Sequence, residues 1–158
     1  MKRTLIASLA GLAALGIAGT AVAHGFDTGR KTSTVAATFS AAPASSISTR
    51  SCVGADGTYV ITRGDWTGTA TSANGRLSGA ILIRGELGVN QTSGLGWLVG
   101  RLRIDGGSDG RNDASGDIRA AVDGGKLTGF VSGRLRDQGY VYGSVAATVG
   151  TAGLTDGQ

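Results

Sequence analysis

The stretch GKLTGFVSGRLRDQGYVYG, residues 125–143, is dense in glycine and still keeps a two-residue alternation. Leu127, Gly129, Val131, Gly133 and Leu135 share one face, and Lys126, Thr128, Phe130, Ser132, Arg134 and Arg136 share the other. That period belongs to a β-strand with one apolar side. Beyond residue 31 no window carries the i, i+3, i+4, i+7 apolar spacing of an amphipathic helix. The 29 glycines would weaken any helix that tried to form. A second segment, GRLSGAILIRGEL, repeats the alternation, with Leu77, Gly79, Ile81, Ile83, Gly85 and Leu87 opposing Arg76, Ser78, Ala80, Leu82, Arg84 and Glu86. The likeness of Gly75–Gly79 to Gly125–Gly129 suggests a short internal duplication.

Turn chemistry converts these faces into a register. Asn74-Gly75 is a two-residue hairpin signal of type I′. Pairing Ala73 with Arg76 sets Arg63 opposite Glu86 and Asp65 opposite Arg84, while Trp66 meets Ile83 and Val60 meets Val89 on the other face. A turn at Gly124-Gly125 pairs Asp123 with Lys126, Arg119 with Phe130, Asp117 with Ser132 and Val122 with Leu127. A three-residue turn at Asp137-Gln138-Gly139 then sets Arg136 by Tyr140 and Arg134 by Tyr142. Charges and apolar groups sort themselves without being asked to, which supports the pairing.

Segments with this pattern lie near 32–40, 45–53, 57–72, 76–88, 95–105, 115–123, 126–136 and 140–149. Short connections favour a single all-β domain, an antiparallel meander of about eight strands. It is expected to form a closed or nearly closed barrel, with a β-sandwich as the alternative. Glycine on the apolar face suits tight coiling and leaves the interior roomy, at Gly79, Gly85, Gly100, Gly129, Gly133 and Gly143. Enlarging Gly129 or Gly133 is expected to block that interior. Ala41–Ala44, with Pro43, reads as a loop, residues 24–31 as a flexible N-terminal segment and 150–158 as a flexible tail.

Residues 1–23 read as a cleaved signal peptide. Lys2 and Arg3 precede an apolar run from Leu5 to Ala18, and Ala21-Val22-Ala23 is a small-x-small cleavage site. The mature chain is expected to begin at His24 and to be secreted, or held in the periplasm or cell envelope, with no transmembrane segment left after cleavage. The preference for Arg over Lys, with abundant Ala and Gly, fits a GC-rich bacterial genome. With Lys2 and Arg3 removed the chain is only weakly basic, and its cations are interleaved with acids, so no nucleic-acid partner is expected. Cys52 is the single cysteine, so an internal disulfide is impossible; its strand-like setting predicts burial. The aromatics Tyr59, Trp97, Phe130, Tyr140 and Tyr142 fall on the polar face, unlike the girdles of a membrane barrel.

Catalytic chemistry has little to work with. His24 is the sole histidine, and Glu86, the sole glutamate, is assigned to Arg63. No nucleophile elbow, phosphate loop or paired-histidine motif occurs, so the chain reads as a non-enzyme without cofactors. An N-terminal His24 has no further histidine to complete a copper site. DGGSDGRNDASGD, 105–117, offers Asp105, Asp109 and Asp113 as weak calcium-loop candidates; glycines stand where an EF-hand needs oxygen ligands, so no metal is expected.

The polar face of the last strands is the expected binding surface: Arg101, Arg119, Phe130, Arg134, Arg136, Tyr140 and Tyr142, with Trp97 nearby. Arginine beside exposed rings binds sugars and polyanions by stacking, cation–π contact and charged hydrogen bonds. The leading expectation is a binding or structural module of the envelope or extracellular space, its partner an envelope polysaccharide or another protein. The alternative is a carrier of small apolar ligands in a glycine-lined interior, favoured by a pocket of ~300 Å³ or more.

Overall fold

The computed structural model describes residues 34–107 and 111–158; the segment expected to be a signal peptide, the expected flexible segment 24–31 and Asp109 lie outside them. Alternation produces strands wherever the sequence carries it: β1 (Ala37–Pro43), β2 (Ser48–Gly54), β3 (Gly57–Ser72), β4 (Gly79–Asn90), β5 (Gly96–Asp105), β6 (Ala114–Asp123), β7 (Lys126–Leu135), β8 (Gly139–Gly150) and β9 (Gly153–Gly157). Each neighbour from β2 to β9 is antiparallel to the next, and β1 pairs with both β9 and β3. The result is a closed barrel of eight strands, with β2 as an additional strand outside the closure. It is a barrel, not a sandwich.

The register of the two central hairpins follows the sequence. Arg63 faces Glu86, Asp65 faces Arg84, Trp66 faces Ile83 and Val60 faces Val89. Asp123 faces Lys126, Arg119 faces Phe130, Asp117 faces Ser132 and Val122 faces Leu127. Gly124 and Gly125 both have positive φ, 54° and 81°, as a type I′ turn requires.

Four local expectations are corrected. The first concerns Asn74-Gly75, which is not a type I′ turn. The ladder stops at Ala70 and Gly79, and Asn74 (φ −88°) caps a single 3₁₀ turn, Gly75–Leu77, by accepting the Arg76 N–H. Gly75–Gly79 and Gly125–Gly129 therefore adopt different conformations. The second is the β7–β8 turn, which spans Arg136 to Gln138. Leu135 pairs with Gly139, Arg134 with Tyr140 and Ser132 with Tyr142. Asp137 takes the left-handed position (φ 62°), and the Arg136 N–H donates to the Asp113 carbonyl on the β6 side. The third is β1, which continues through Ala41 to Pro43, where the expected loop stood; the proline is tolerated as the last residue of the strand. The fourth is the tail, which is structured: β9 joins β8 to β1, so 153–157, and not the 45–53 segment, completes the wall.

Side chains of one parity turn inward. Trp66, Ile83, Leu98, Ile118, Val122, Leu127 and Leu154 are fully buried together. Each such aliphatic burial contributes roughly 1.5–3 kcal/mol. Where two glycines face each other, Gly85 with Gly100 and Gly116 with Gly133, the strands approach so closely that an added Cβ would strike the neighbouring backbone. These pairs make the tight bends of a small barrel. The outward face holds charges at mid-strand, Arg84, Arg101, Arg103, Asp117, Arg119 and Arg134, all exposed. This is the inverse of a lipid-facing band.

Candidate functional site: a lateral apolar cavity

The core does not fill the barrel evenly. The fully buried group packs one end, whereas toward the end that carries the β3–β4, β5–β6 and β7–β8 turns the interior opens into a cavity of about 710 Å³. Phe39, Ile81, Leu102, Ile104, Val131 and Val141 supply most of its apolar wall. Across the strands interior valines oppose glycines: Val141 faces Gly133, Val131 faces Gly143 and Val145 faces Gly129. A valine against a glycine fills less volume than two aliphatic side chains, so room remains where the packed end has Val122 against Leu127.

The cavity opens sideways. β9 pairs with β8 only at Thr148–Gly150, and Gln158 exchanges backbone hydrogen bonds with Ala146. Among the described residues nothing pairs with the same edge of β8 from Gly139 to Val145. β1 borders this slit on the other side, and Ala36 to Thr38 line the cavity together with Tyr142 and Ser144. The slit is thus the continuation of the lane that β9 fills further along.

The barrel end beside the slit is tied shut by charge. Asp113 is buried (4 % exposed), and its Oδ1 accepts from Arg76 Nη1 at 2.6 Å and lies 3.0 Å from Arg136 Nη2. Its Oδ2 accepts the Gly106 N–H at 3.0 Å. Arg76 also reaches Asp137 at 3.1 Å, so two carboxylates and two guanidinium groups knit three turns together. The Arg76 hydrogen bond holds the Asp113 carboxyl below the usual carboxylate range; burial opposes this, and the Gly106 N–H and the charge of Arg136 add to it. Asp113, a calcium-loop candidate in the sequence, has guanidinium groups facing its oxygens. Asp105 Oδ1 accepts from its own loop at Gly107.

Glu86 and Asp65 are held low in the same way, chiefly by the hydrogen bonds of Arg63 and Arg84. Arg84 grips Asp65 with two bonds of 2.7 Å. Because all three folded values are depressed, their stabilisation is complete above the ordinary carboxylate range, about 4, and is lost as pH falls below it. The urea midpoint should therefore decline from pH 5 to pH 2.5. Asp113→Asn should be less stable at pH 7 and show a shallower acid decline. An unchanged acid slope in that variant would remove Asp113 from this account.

The predicted binding face is partly assembled. Phe130 stacks on Tyr142 at 5.8 Å, and the Arg134 guanidinium sits 4.8 Å above the Tyr140 ring. Arg119 lies beside Phe130, and Arg101 contacts Asp117 at 3.4 Å. Arg136 is not on this face, because Asp113 draws it to the barrel end. Trp97 is remote as well. It packs with Tyr59 at 5.5 Å over Gly88, near the opposite end. Cys52 is exposed, not buried: β2 pairs with β3 alone, outside the barrel closure, and all seven of its residues are exposed.

The slit and the charged cap were not read from the sequence. The available signals were Asp113 among three turns and the apolar lead of Gly153-Leu154, whose leucine is buried (1 % exposed). Comparison of the chain with protein-family models, with curated proteins and with solved structures finds no match.

Proposed function

We propose that this chain is an exported, non-catalytic β-barrel that binds a small apolar ligand in its side-opening cavity. One observation carries the reading: a cavity of about 710 Å³ walled mainly by aliphatic side chains. Ligand pockets typically span ~300–1,000 Å³ and bury most of a bound molecule. Export rests on the leader at residues 1–23. The test is a titration of the mature protein with the uncharged fluorescent probe N-phenyl-1-naphthylamine. Saturable blue-shifted emission at micromolar probe is expected, and emission no different from that with a filled-core control protein would overturn the reading.

The outer face supports a second reading, an anionic envelope polysaccharide held by arginine and aromatic rings. Its observation is the Phe130–Tyr142 stack beside Arg119 and Arg134, which make no ion pair among the described residues. Binding of such a polymer should weaken as salt rises, because the attraction is screened. Arg134→Ala and Tyr142→Ala should each weaken it several-fold without changing the thermal midpoint. Salt-independent binding, or binding indifferent to both substitutions, would exclude this face.

A further inference from the structure

We infer that the ligand is an uncharged, elongated apolar molecule, such as a long-chain alcohol or ester, and that it enters through the β1–β8 slit and not through the barrel end. This rests on the cavity reading above and adds its chemistry and route.

The chemistry follows from the lining. The residues that border the cavity have aliphatic, aromatic, glycine or neutral polar side chains; no charged side chain is among them. The polar side chains among the lining residues are those of Thr38, Thr71, Ser72, Ser115, Tyr142, Ser144 and Gln158. Hydroxyl and amide groups satisfy an alcohol or ester by hydrogen bonding, but offer an ionised group no counter-charge. A carboxylate drawn into such a wall loses hydration without electrostatic return. Of the guanidinium groups near this end, those of Arg76 and Arg136 hold Asp113, and that of Arg134 lies on Tyr140. The cavity therefore selects against charge.

The route follows from what is tied and what is not. At the barrel end the Asp113 hub joins three turns, with Leu77 of the 3₁₀ turn packed against the core beneath them. Opening that end means separating a buried carboxylate from its partners. Along the wall, the edge of β8 turned away from β7 has no strand beside it from Gly139 to Val145 among the described residues, and the cavity reaches between that edge and β1. A chain-like molecule laid in this lane buries its length at once. No hydrogen-bonded ladder among the described residues has to break to admit it.

The experiment uses the mature protein with Cys52→Ser and cysteines placed on the two lips of the slit, Ala36→Cys and Ser144→Cys, both exposed positions. A short bis-maleimide bridges the lips; N-ethylmaleimide on the same protein is the control. Stopped-flow uptake of N-phenyl-1-naphthylamine should be at least tenfold slower in the bridged protein than in the N-ethylmaleimide-treated one, and should not be quickened by Asp113→Asn. Uptake at the control rate after bridging, or faster uptake with Asp113→Asn, overturns lateral entry while leaving the cavity reading intact. At pH 8, hexadecanol should displace the probe at least tenfold more effectively than palmitate. Equal displacement overturns the preference for an uncharged ligand. Absence of probe uptake in the unbridged protein overturns the cavity reading, and this inference with it.

Discussion

Val141→Trp is expected to abolish probe binding while leaving the barrel folded. Val141 projects from β8 into the cavity, opposite Gly133, at the part of the strand whose other edge borders the slit. An indole there occupies the volume a ligand would take and meets apolar neighbours, Ile104 and Val131 among the wall residues. Because it enters existing space, it avoids the strain that an added side chain meets in a filled core. Affinity for N-phenyl-1-naphthylamine should fall at least about tenfold, a loss of about 1.4 kcal/mol. The thermal midpoint should stay level or rise. Arg134→Ala, on the outer face and not part of the cavity lining, should leave affinity within about twofold, a change that is small on that scale. Unchanged affinity in Val141→Trp, with the fold intact, would place the probe elsewhere and sink the carrier reading. The polymer-binding reading predicts the reverse ordering of these two variants.

How far a sequence discloses such a fold depends on whether the information is local. Register was legible because cross-strand charges had to match: once Arg63 met Glu86, Asp65 met Arg84 without further choice. The same signal fixes β6 against β7. Turn form was less legible, because it depends on partners far along the chain. Arg76 belongs to a 3₁₀ turn capped by Asn74, and its guanidinium is anchored by Asp113. Arg136 falls in the β7–β8 turn with its guanidinium on the same aspartate, and the pairing lies two residues from the expected one with the faces correct. Cys52 was misjudged because alternation says which residues share a face, not whether anything covers that face. β9 was missed because Gly153–Gly157 is too short to show a period, and only its closure against β1 makes it a strand. The binding face was legible in composition and only partly in assembly. Phe130, Tyr140, Tyr142 and Arg134 come together through adjacent strands, while Arg136 and Trp97 are drawn elsewhere. The cavity was visible only as a surplus of interior glycine, and its location needed the slit.

Glycine is also where the largest destabilisation is expected. Placing a side chain at Gly129 or Gly133 would not plug the interior, as the alternation alone suggests. A Cβ on Gly133 would lie against the Ser115 carbonyl and the Gly116 Cα, and one on Gly129 against the Arg119 carbonyl and Ala120, far inside contact distance. From the other side, a Cβ on Gly116 would sit 2.6 Å from the Ser132 carbonyl oxygen. These are backbone atoms of the paired strand, so no rotamer change relieves the overlap. Gly133→Ala should therefore force β6 from β7 and cost about 3 kcal/mol or more, at the upper end for overpacking. The Gly129→Ala/Gly133→Ala pair should leave no cooperative transition in urea. Gly150→Ala is the control: its Cβ would meet nothing within 4 Å and its φ is not positive, so stability should stay within about 0.5 kcal/mol. A Gly133→Ala protein with a native urea midpoint would show that the close approach of these strands is not what the glycines serve. Loss of folding at Gly133 with retention at Gly150 would locate the requirement in strand approach and not in glycine content. It would also explain why the cavity must be filled from Val141, where space exists, and not from the glycines that shape its wall.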